Sequence, residues 1–566
     1  MMRAAFGLAA CAGLVLSLPA SAGSWSKVTT NAPDNVTLML TLPDGTIMCH
    51  NALPSGGGYG NKWFRLTPDA TGNYTSGSWS TRGTASYTRL WFSSQVLNND
   101  TVFVCGGEYG TGGDTAEVYH IGSDSWSTVT VPPDLIYTGP SGDAENSGFR
   151  DSGSVVLPNG NVLIAPVFPY SGNDTVIYNP YNNSLSVGPA YLNSQNEAGW
   201  VKLPDGSVLT IDKGGSTAER FIPSLNKWIA DASPPVDVYT YGAEEGPGFL
   251  LPNGKAIFFG GGGNVAIYTP SGTTNNGSWV IGPSIPGGNG MPDAGGAEMP
   301  NGNILLAVAQ APTAANEWYT NVYFYVYNYS PTSTGSYTQE NSPTGGLYDP
   351  TVSYLALMVV LPSGNVLYSH SGSDLYVYQP SAGPITADAP QISSVTPNSD
   401  GSFTVAGYGF NGVCEGGAYG DDAQMSSDYP LVRLTSGSTV TYAETYNWNS
   451  TIDDNFGIYD TVQFFGGDAF PGAWTLQVVA NGNPSAGVTY YSPVWVDFTE
   501  YNTLFQFGTY VFPYPTLSDG VTHVTSGGYI FINANGDSST SVSSETLTIS
   551  TPMTITSIDG ASTIGN

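Results

Sequence analysis

The sequence predicts an all-β protein: a propeller of seven blades, then a β-sandwich, then a short β-helix-like coil. Three observations predict it. Gly (72) and Pro (40) supply near a fifth of the 566 residues, beside 36 Tyr, which marks turn-rich β structure. A turn motif recurs seven times. The segments after residue 389 carry alternating apolar runs without that motif.

The motif is Leu42-Pro43-Asp44-Gly45, returning from Leu97, Leu157, Leu203, Leu251, Met299 and Leu361. Apolar runs flank each copy, as in a hairpin whose turn needs Gly or Asn at positive φ. A Tyr-rich run follows most copies, and often a Trp strand (Trp79, Trp126, Trp228, Trp279). Four short strands in about 45 to 60 residues is the period of a propeller blade. The seventh unit stops at Tyr378-Gln379-Pro380 without its Trp strand, whereas Gly23-Ser24-Trp25-Ser26 has that pattern. The N-terminal strand is therefore expected to complete the last blade, leaving no open sheet edge.

Ahead of it, Met1 to Ala22 reads as a secretory signal: Arg3, an apolar run from Leu8 to Leu18, then Ala20-Ser21-Ala22. Domains are expected at 23–386 (propeller), 387–498 (sandwich, with Pro471-Gly472-Ala473-Trp474) and 499–566 (coil). In the coil, Ser526 to Ile532, Glu545 to Ile549 and Met553 to Ile555 read as strands of one solenoid turn. One turn cannot bury its own face, so it must dock on the chain, stack on a partner through self-association, or stay loose.

Forty-four acids against 13 bases leave a net charge of −31, which excludes nucleic acid and an anionic membrane surface as partners. With 40% hydrophobic and 12% aromatic residues the chain is not disordered. No stretch after the signal approaches a transmembrane span, so the mature protein is expected to be secreted, extracellular or at the cell surface. Cys11 leaves with the signal, and Cys49, Cys105 and Cys414 allow one disulfide at most.

Together the turns, Gly417 to Gln424, Tyr429-Pro430-Leu431-Val432-Arg433 and Val479 to Ser485 resemble the galactose oxidase and glyoxal oxidase family over about residues 25 to 497. The chain is closer still to exported bacterial kelch-repeat proteins of undefined function. The resemblance implies a kelch-type propeller before an immunoglobulin-like domain, and for the oxidases a copper held by two Tyr and two His. Aligned on the turns, the crosslinked Cys of that site falls on Val36 and its Tyr partner on Trp91. The Tyr-His pair falls on Tyr354-Leu355 and the last His near Thr439. One of five survives, and Tyr alone does not hold copper, so copper is not expected.

Six residues before each turn stand Val36, Trp91, Asp151, Glu197, Glu245, Asp293 and Leu355. Four consecutive units thus place an acid at one register position, which converges on one end of the channel if the next strand is innermost. Such acids raise one another's pKa unless a cation sits among them, and oxygen ligands suit Ca²⁺. Three readings stand open: struts to backbone N–H groups, a cation or polar-ligand site walled by Trp91 and Tyr354, or an acid–base pair acting on a sugar. Asp421 and Asp422, near Glu415 and Asp428, form either a calcium loop or an Asp pair tied to its own backbone. The favoured function is non-catalytic binding or adhesion, with a glycan or cell-surface protein as partner. The alternative is a carbohydrate-active oxidoreductase or hydrolase; a third is an extracellular assembly built through the coil.

Overall fold

The computed structural model describes residues 23–51, 59–137, 148–196, 198–212, 217–239, 241, 245–419, 422–424, 428–453, 456–466, 469–500, 505–536 and 541–565, with backbone alone at 415–419 and 422–424. Up to residue 380 the strands form seven antiparallel sheets of four or more strands. Sheet 1 comprises Leu38–Thr41, Ile47–His50, Trp63–Thr67 and Ser78–Thr81. The first strands of sheets 2 to 6 are Ser93–Leu97, Gly153–Val156, Trp200–Lys202, Gly248–Leu250 and Gly296–Glu298. Sheet 7 runs Leu357–Val360, Val366–Ser369, Leu375–Gln379, and its fourth strand is Ser24–Lys27, with Trp25 opposite Tyr378.

Strand periodicity explains how the sheets join. Successive side chains point to opposite faces, so in Leu38–Thr41 Met39 enters the core shared with sheet 7, while Leu38 and Leu40 enter the core shared with sheet 2. The same alternation yields cores between sheets 2 and 3, 3 and 4, 4 and 5, 5 and 6, and 6 and 7. Every sheet is glued to two neighbours and the last to the first, which is the closed ring of a β-propeller. The turn glycines take the left-handed conformation the motif calls for, as at Gly45 (φ 72°), and Asp100 (φ 62°) stands in that place in sheet 2.

A repeated indole clip reinforces the ring. Trp25, Trp79, Trp126 and Trp279, each on an outer strand, donate Nε1–H to the carbonyls of Asn341, Thr30, Gly83 and Ala232 at 2.8, 2.9, 2.8 and 2.6 Å. Each acceptor lies just past the outer strand of the preceding sheet, so one side chain both packs and ties neighbours together. The Trp228 indole nitrogen lacks a hydrogen bond and packs instead on Trp200.

After residue 390, Gln391–Pro397, Phe403–Tyr408, Tyr459–Phe464 and Thr445–Tyr446 form one sheet, and Thr439–Ala443, Leu431–Ser436 and Gly472–Ala480 lie in a second. Phe403, Val462 and Phe464 from the first meet Leu431, Leu434 and Leu476 from the second in one core. That core continues through Trp495 into Phe531 and Ile558 of the tail, so the tail docks on the chain. Its strands Tyr529–Asn533 and Thr554–Ile558 pair in parallel, and the first also pairs in parallel with Val494–Val496, just ahead of the tail. Glu545 to Ile549, read from the sequence as a strand, forms no ladder. The Glu545 carboxylate instead accepts N–H bonds from Leu517 and Ser518 (2.8 and 3.1 Å) at the start of the helix Leu517–His523, a use of an acid that helix N-termini favour.

The channel is filled from the sandwich side. Strands Glu415–Tyr419 and Asp422–Gln424 form a hairpin whose first strand pairs with Gly248–Leu250, Ala418 opposite Gly248 and Glu415 opposite Leu250. The hairpin lies against the inner strands of sheets 1, 2, 4, 6 and 7 as well. Cys49, Cys105 and Cys414 are buried and form no disulfide among the described residues, and no helix among the described residues is long and apolar enough to cross a membrane.

Candidate functional site

The register positions sit where the chain enters each innermost strand, at the channel end away from the sandwich. Trp91, Asp151 and Asp293 are all left-handed there, at φ 50°, 46° and 44°. Asp adopts that conformation several-fold more readily than most residues, so a backbone bend common to three units is one physical cause of the acidic register. Glu245 is not left-handed. It is fully buried, and one of its oxygens accepts the N–H of Gly199 from the neighbouring sheet. Burial pushes its pKa well above the carboxylate range, against the Gly199 bond, with Asp212 and Asp237 adding to the rise. Asp151 is buried against Arg150 (Nε to Oδ2, 2.8 Å), which reaches Glu108 at 3.0 Å as well. Burial opposes the Arg150 charge, but Asp151 and Glu108 together hold its pKa above the usual value. Glu197 and Asp421 lie outside the described residues. Asp422 begins a strand of the channel hairpin, and its side chain too lies outside the description.

The structure brings Trp91 and Tyr354 together. Their rings meet edge to face at 5.7 Å, and the contact continues on both sides. Trp91 touches Tyr109 at 5.7 Å, and Tyr109 stacks on Tyr59 at 5.7 Å and 9°. On the other side Tyr354 touches Trp318 at 5.0 Å. Five rings from the loops of sheets 1, 2, 6 and 7 thus run across the channel mouth; Tyr59 is 41% exposed and the other four half-buried. Burial and the nearby Asp293 raise the Tyr354 pKa, so the phenol stays neutral. A two-strand ribbon anchors the centre: Tyr109–Gly110 pairs with Arg89–Leu90. Arg89, itself buried, donates to the carbonyls of Gly106, Gly112 and Thr115 at the base of the Tyr109 loop.

Tyr59, Tyr109 and Trp318 escape a search by register because they lie in the loops between second and third strands. Loop length was the available signal: eleven residues separate Ile304–Gln310 from Val322–Asn328, and ten separate Thr101–Cys105 from Ala116–His120. Chemically, aromatic faces edged by Asp151, Asp293 and a neutralised Arg150 offer stacking and hydrogen bonds to a polyhydroxylated ligand.

Copper does not fit this mouth. Val36, Trp91 and Leu355 offer no metal-binding atom at positions where the oxidase resemblance requires them. Thr439 starts a strand packed beside Ala70 on sheet 1, with the neighbouring Val440 N–H bonded to the Ala70 carbonyl. The sandwich segment in the channel is the 415–424 hairpin instead. The histidines are scattered: His50 between Thr37 and the Gly60 carbonyl, His120 on Ser127, His370 on Asp349, and His523 on its own helix. Among the described residues no group of three or more His, Cys, Asp or Glu is arranged to hold a metal.

No protein-family model matches the chain, and no curated protein matches it significantly. Among solved structures it is similar to a fungal alcohol oxidase of the AA5 family in complex with copper, at 12% identity and a TM-score of 0.46, over 83% of this chain and 99% of that one. It is similar to a streptogramin B lyase (12%, TM-score 0.40, 63% and 98%) and to YCF48 bound to a D1 peptide (13%, 0.40, 65% and 99%). At these identities the likeness concerns the course of the chain alone.

Proposed function

We propose that this is an exported, non-catalytic binding protein whose channel mouth takes up a glycan. In this reading a signal peptide (1–22) precedes a seven-bladed kelch-type propeller (23–386), an immunoglobulin-like sandwich (387–498) and a β-helix-like coil (499–566). The mature protein acts outside the cell or at its surface. The observation that carries the reading is the run of five rings, Tyr59, Tyr109, Trp91, Tyr354 and Trp318, held across the mouth. Sugar faces stack on such rings, and the acidic rim excludes strongly anionic ligands.

The test is a glycan array followed by calorimetry on the best binder. Trp318→Ala, on a loop outside the inner strands, is expected to weaken binding about five- to tenfold, the worth of one aromatic contact at about 1 kcal/mol. Unchanged affinity in both Trp318→Ala and Tyr109→Ala removes the site. A bound glycan that releases peroxide or new reducing ends, with loss of that activity in Asp151→Asn, replaces binding by the carbohydrate-active alternative. Capture of a cell-surface protein with no glycan bound moves the partner class instead.

A further inference from the structure

The five rings cover sheets 1, 2, 6 and 7, and the rim continues over sheet 3. There the loop leading into sheet 3 and the loop joining Val162–Ala165 to Asp174–Asn179 meet as a short ribbon. The Tyr137 N–H bonds the Phe168 carbonyl at 2.9 Å, the Tyr170 N–H bonds the Leu135 carbonyl at 3.4 Å, and Ile136 lies opposite Pro169. Pro166 and Pro169 fix their own φ and bring no N–H, which holds this edge extended. Ile136 is buried, whereas Tyr137, Phe168 and Tyr170 stand 51%, 37% and 61% exposed. Apolar side chains exposed singly are ordinary, but three rings on one ribbon mark an interaction surface.

Contacts join this ribbon to the five rings. The Phe168 N–H bonds the Gly148 carbonyl at 3.4 Å. Next in the chain, the buried Phe149 sits against Gly106, where a Cβ would strike its carbonyl. Arg150 then reaches Glu108, the neighbour of Tyr109, at 3.0 Å, and Asp151 at 2.8 Å. From Tyr170 to Tyr109 the rim is therefore one continuous path: an aromatic ledge, a guanidinium between two carboxylates, then the aromatic run. Each step has a match in a sugar chain. Rings take the apolar faces of pyranose units. The middle step sets charged donors and acceptors side by side, and hydroxyl groups bond ionised partners more strongly than neutral ones. Two carboxylates to one guanidinium leave that step negative, which turns away an anionic chain.

The hairpin of Glu415–Tyr419 and Asp422–Gln424 stands in the channel, so a chain reaching the mouth lies along the rim rather than down the axis. We propose that the rim takes an extended, uncharged glycan chain. One part of it stacks on the five rings and another on Tyr137, Phe168 and Tyr170, with hydroxyl groups on Arg150, Glu108 and Asp151 between them. On the glycan reading of the mouth, on which this rests, a disaccharide covers one ledge only. A longer chain engages the second ledge while already held by the first, so affinity climbs with length.

The experiment is calorimetry on the full mature chain with neutral gluco-, xylo- and manno-oligosaccharides, each about two to eight residues long, and with oligogalacturonides as the charged comparison. At least one neutral series should bind, the longest member about tenfold or more tighter than the shortest. Phe168→Ala and Tyr170→Ala should each weaken the longest member about five- to tenfold and leave the shortest unchanged, whereas Trp318→Ala weakens both. Phe168 and Tyr170 are exposed, so neither change endangers folding. Tyr181→Ala, equally exposed at the opposite end of sheet 3, should alter neither. A longest member no tighter than the shortest overturns the proposal. So does a longest member held as tightly by both ribbon variants as by wild type, an oligogalacturonide preferred to every neutral series, or no neutral series bound. The reading of the mouth itself falls only if Trp318→Ala and Tyr109→Ala leave every array binder untouched, so the two failures are separable.

Discussion

Arg89 joins the stability of the ring to the shape of the mouth, which makes Arg89→Met the most informative single substitution. The guanidinium is buried at 1% exposure and pairs with the equally buried Glu117 at 3.1 Å. It also serves the carbonyls of Gly106, Gly112 (2.9 Å) and Thr115 (3.3 Å) and the Thr115 hydroxyl (2.8 Å). Met fills a similar volume but removes every one of these donors. Glu117 then keeps the Ser86 N–H at 2.8 Å but loses its cation, and breaking a buried pair from one side costs about 3–5 kcal/mol. Glu117→Gln leaves the guanidinium its neutral acceptors and should cost less, about 1.5–3 kcal/mol. Urea unfolding followed by Trp fluorescence measures both. Because the same carbonyls anchor the Tyr109 loop, Arg89→Met should weaken glycan binding more than Glu117→Gln. An Arg89→Met chain within about 0.5 kcal/mol of wild type, or a Glu117→Gln chain less stable than it, refutes the reasoning.

Three further outcomes are expected. Trp126→Phe removes the indole clip to Gly83 while keeping an aromatic ring, and should lower stability by about 1 kcal/mol in the same urea assay. The Asp349 hydrogen bond holds the His370 pKa above its ordinary value despite burial. Its stabilising contribution is therefore complete below about pH 6.5 and lost as pH rises through the raised value; melts at about pH 5.5 and about pH 8.5 should differ more in wild type than in His370→Gln. His50 has the opposite sign: burial pushes its pKa down to about 3, with Arg89 adding to the fall against the Gly60 bond. Stability should then decline as pH drops from about 6.5 toward 3, and His50→Gln should flatten that limb of a pH-dependent melt.

The repeat was legible because each turn demands a particular residue: Gly45 and Asp100 declare their left-handed backbone in the sequence. The acids at 151, 245 and 293 were legible as a register but not as a role. Position along a strand does not say whether an oxygen meets Arg150, as at Asp151, or the Gly199 N–H, as at Glu245. Trp91 stood on that register and Tyr354 beside its last position, Leu355, so both were singled out; Tyr109 and Trp318 belong to loops whose course depends on distant partners. The hairpin at 415–424 shows the same limit. Its residues were singled out, yet their pairing with Gly248–Leu250 spans well over a hundred residues and leaves no local periodicity to read.

That hairpin has a consequence for traffic. A ring of sheets is ordinarily a tube, open at both ends, but here a pair of strands from the following domain stands inside it. The tube becomes a cup. Whatever settles on the rim meets a floor and must leave by the way it came, so discrimination among visitors is decided by the rim loops alone. The wall can then drift in sequence without altering what the cup holds.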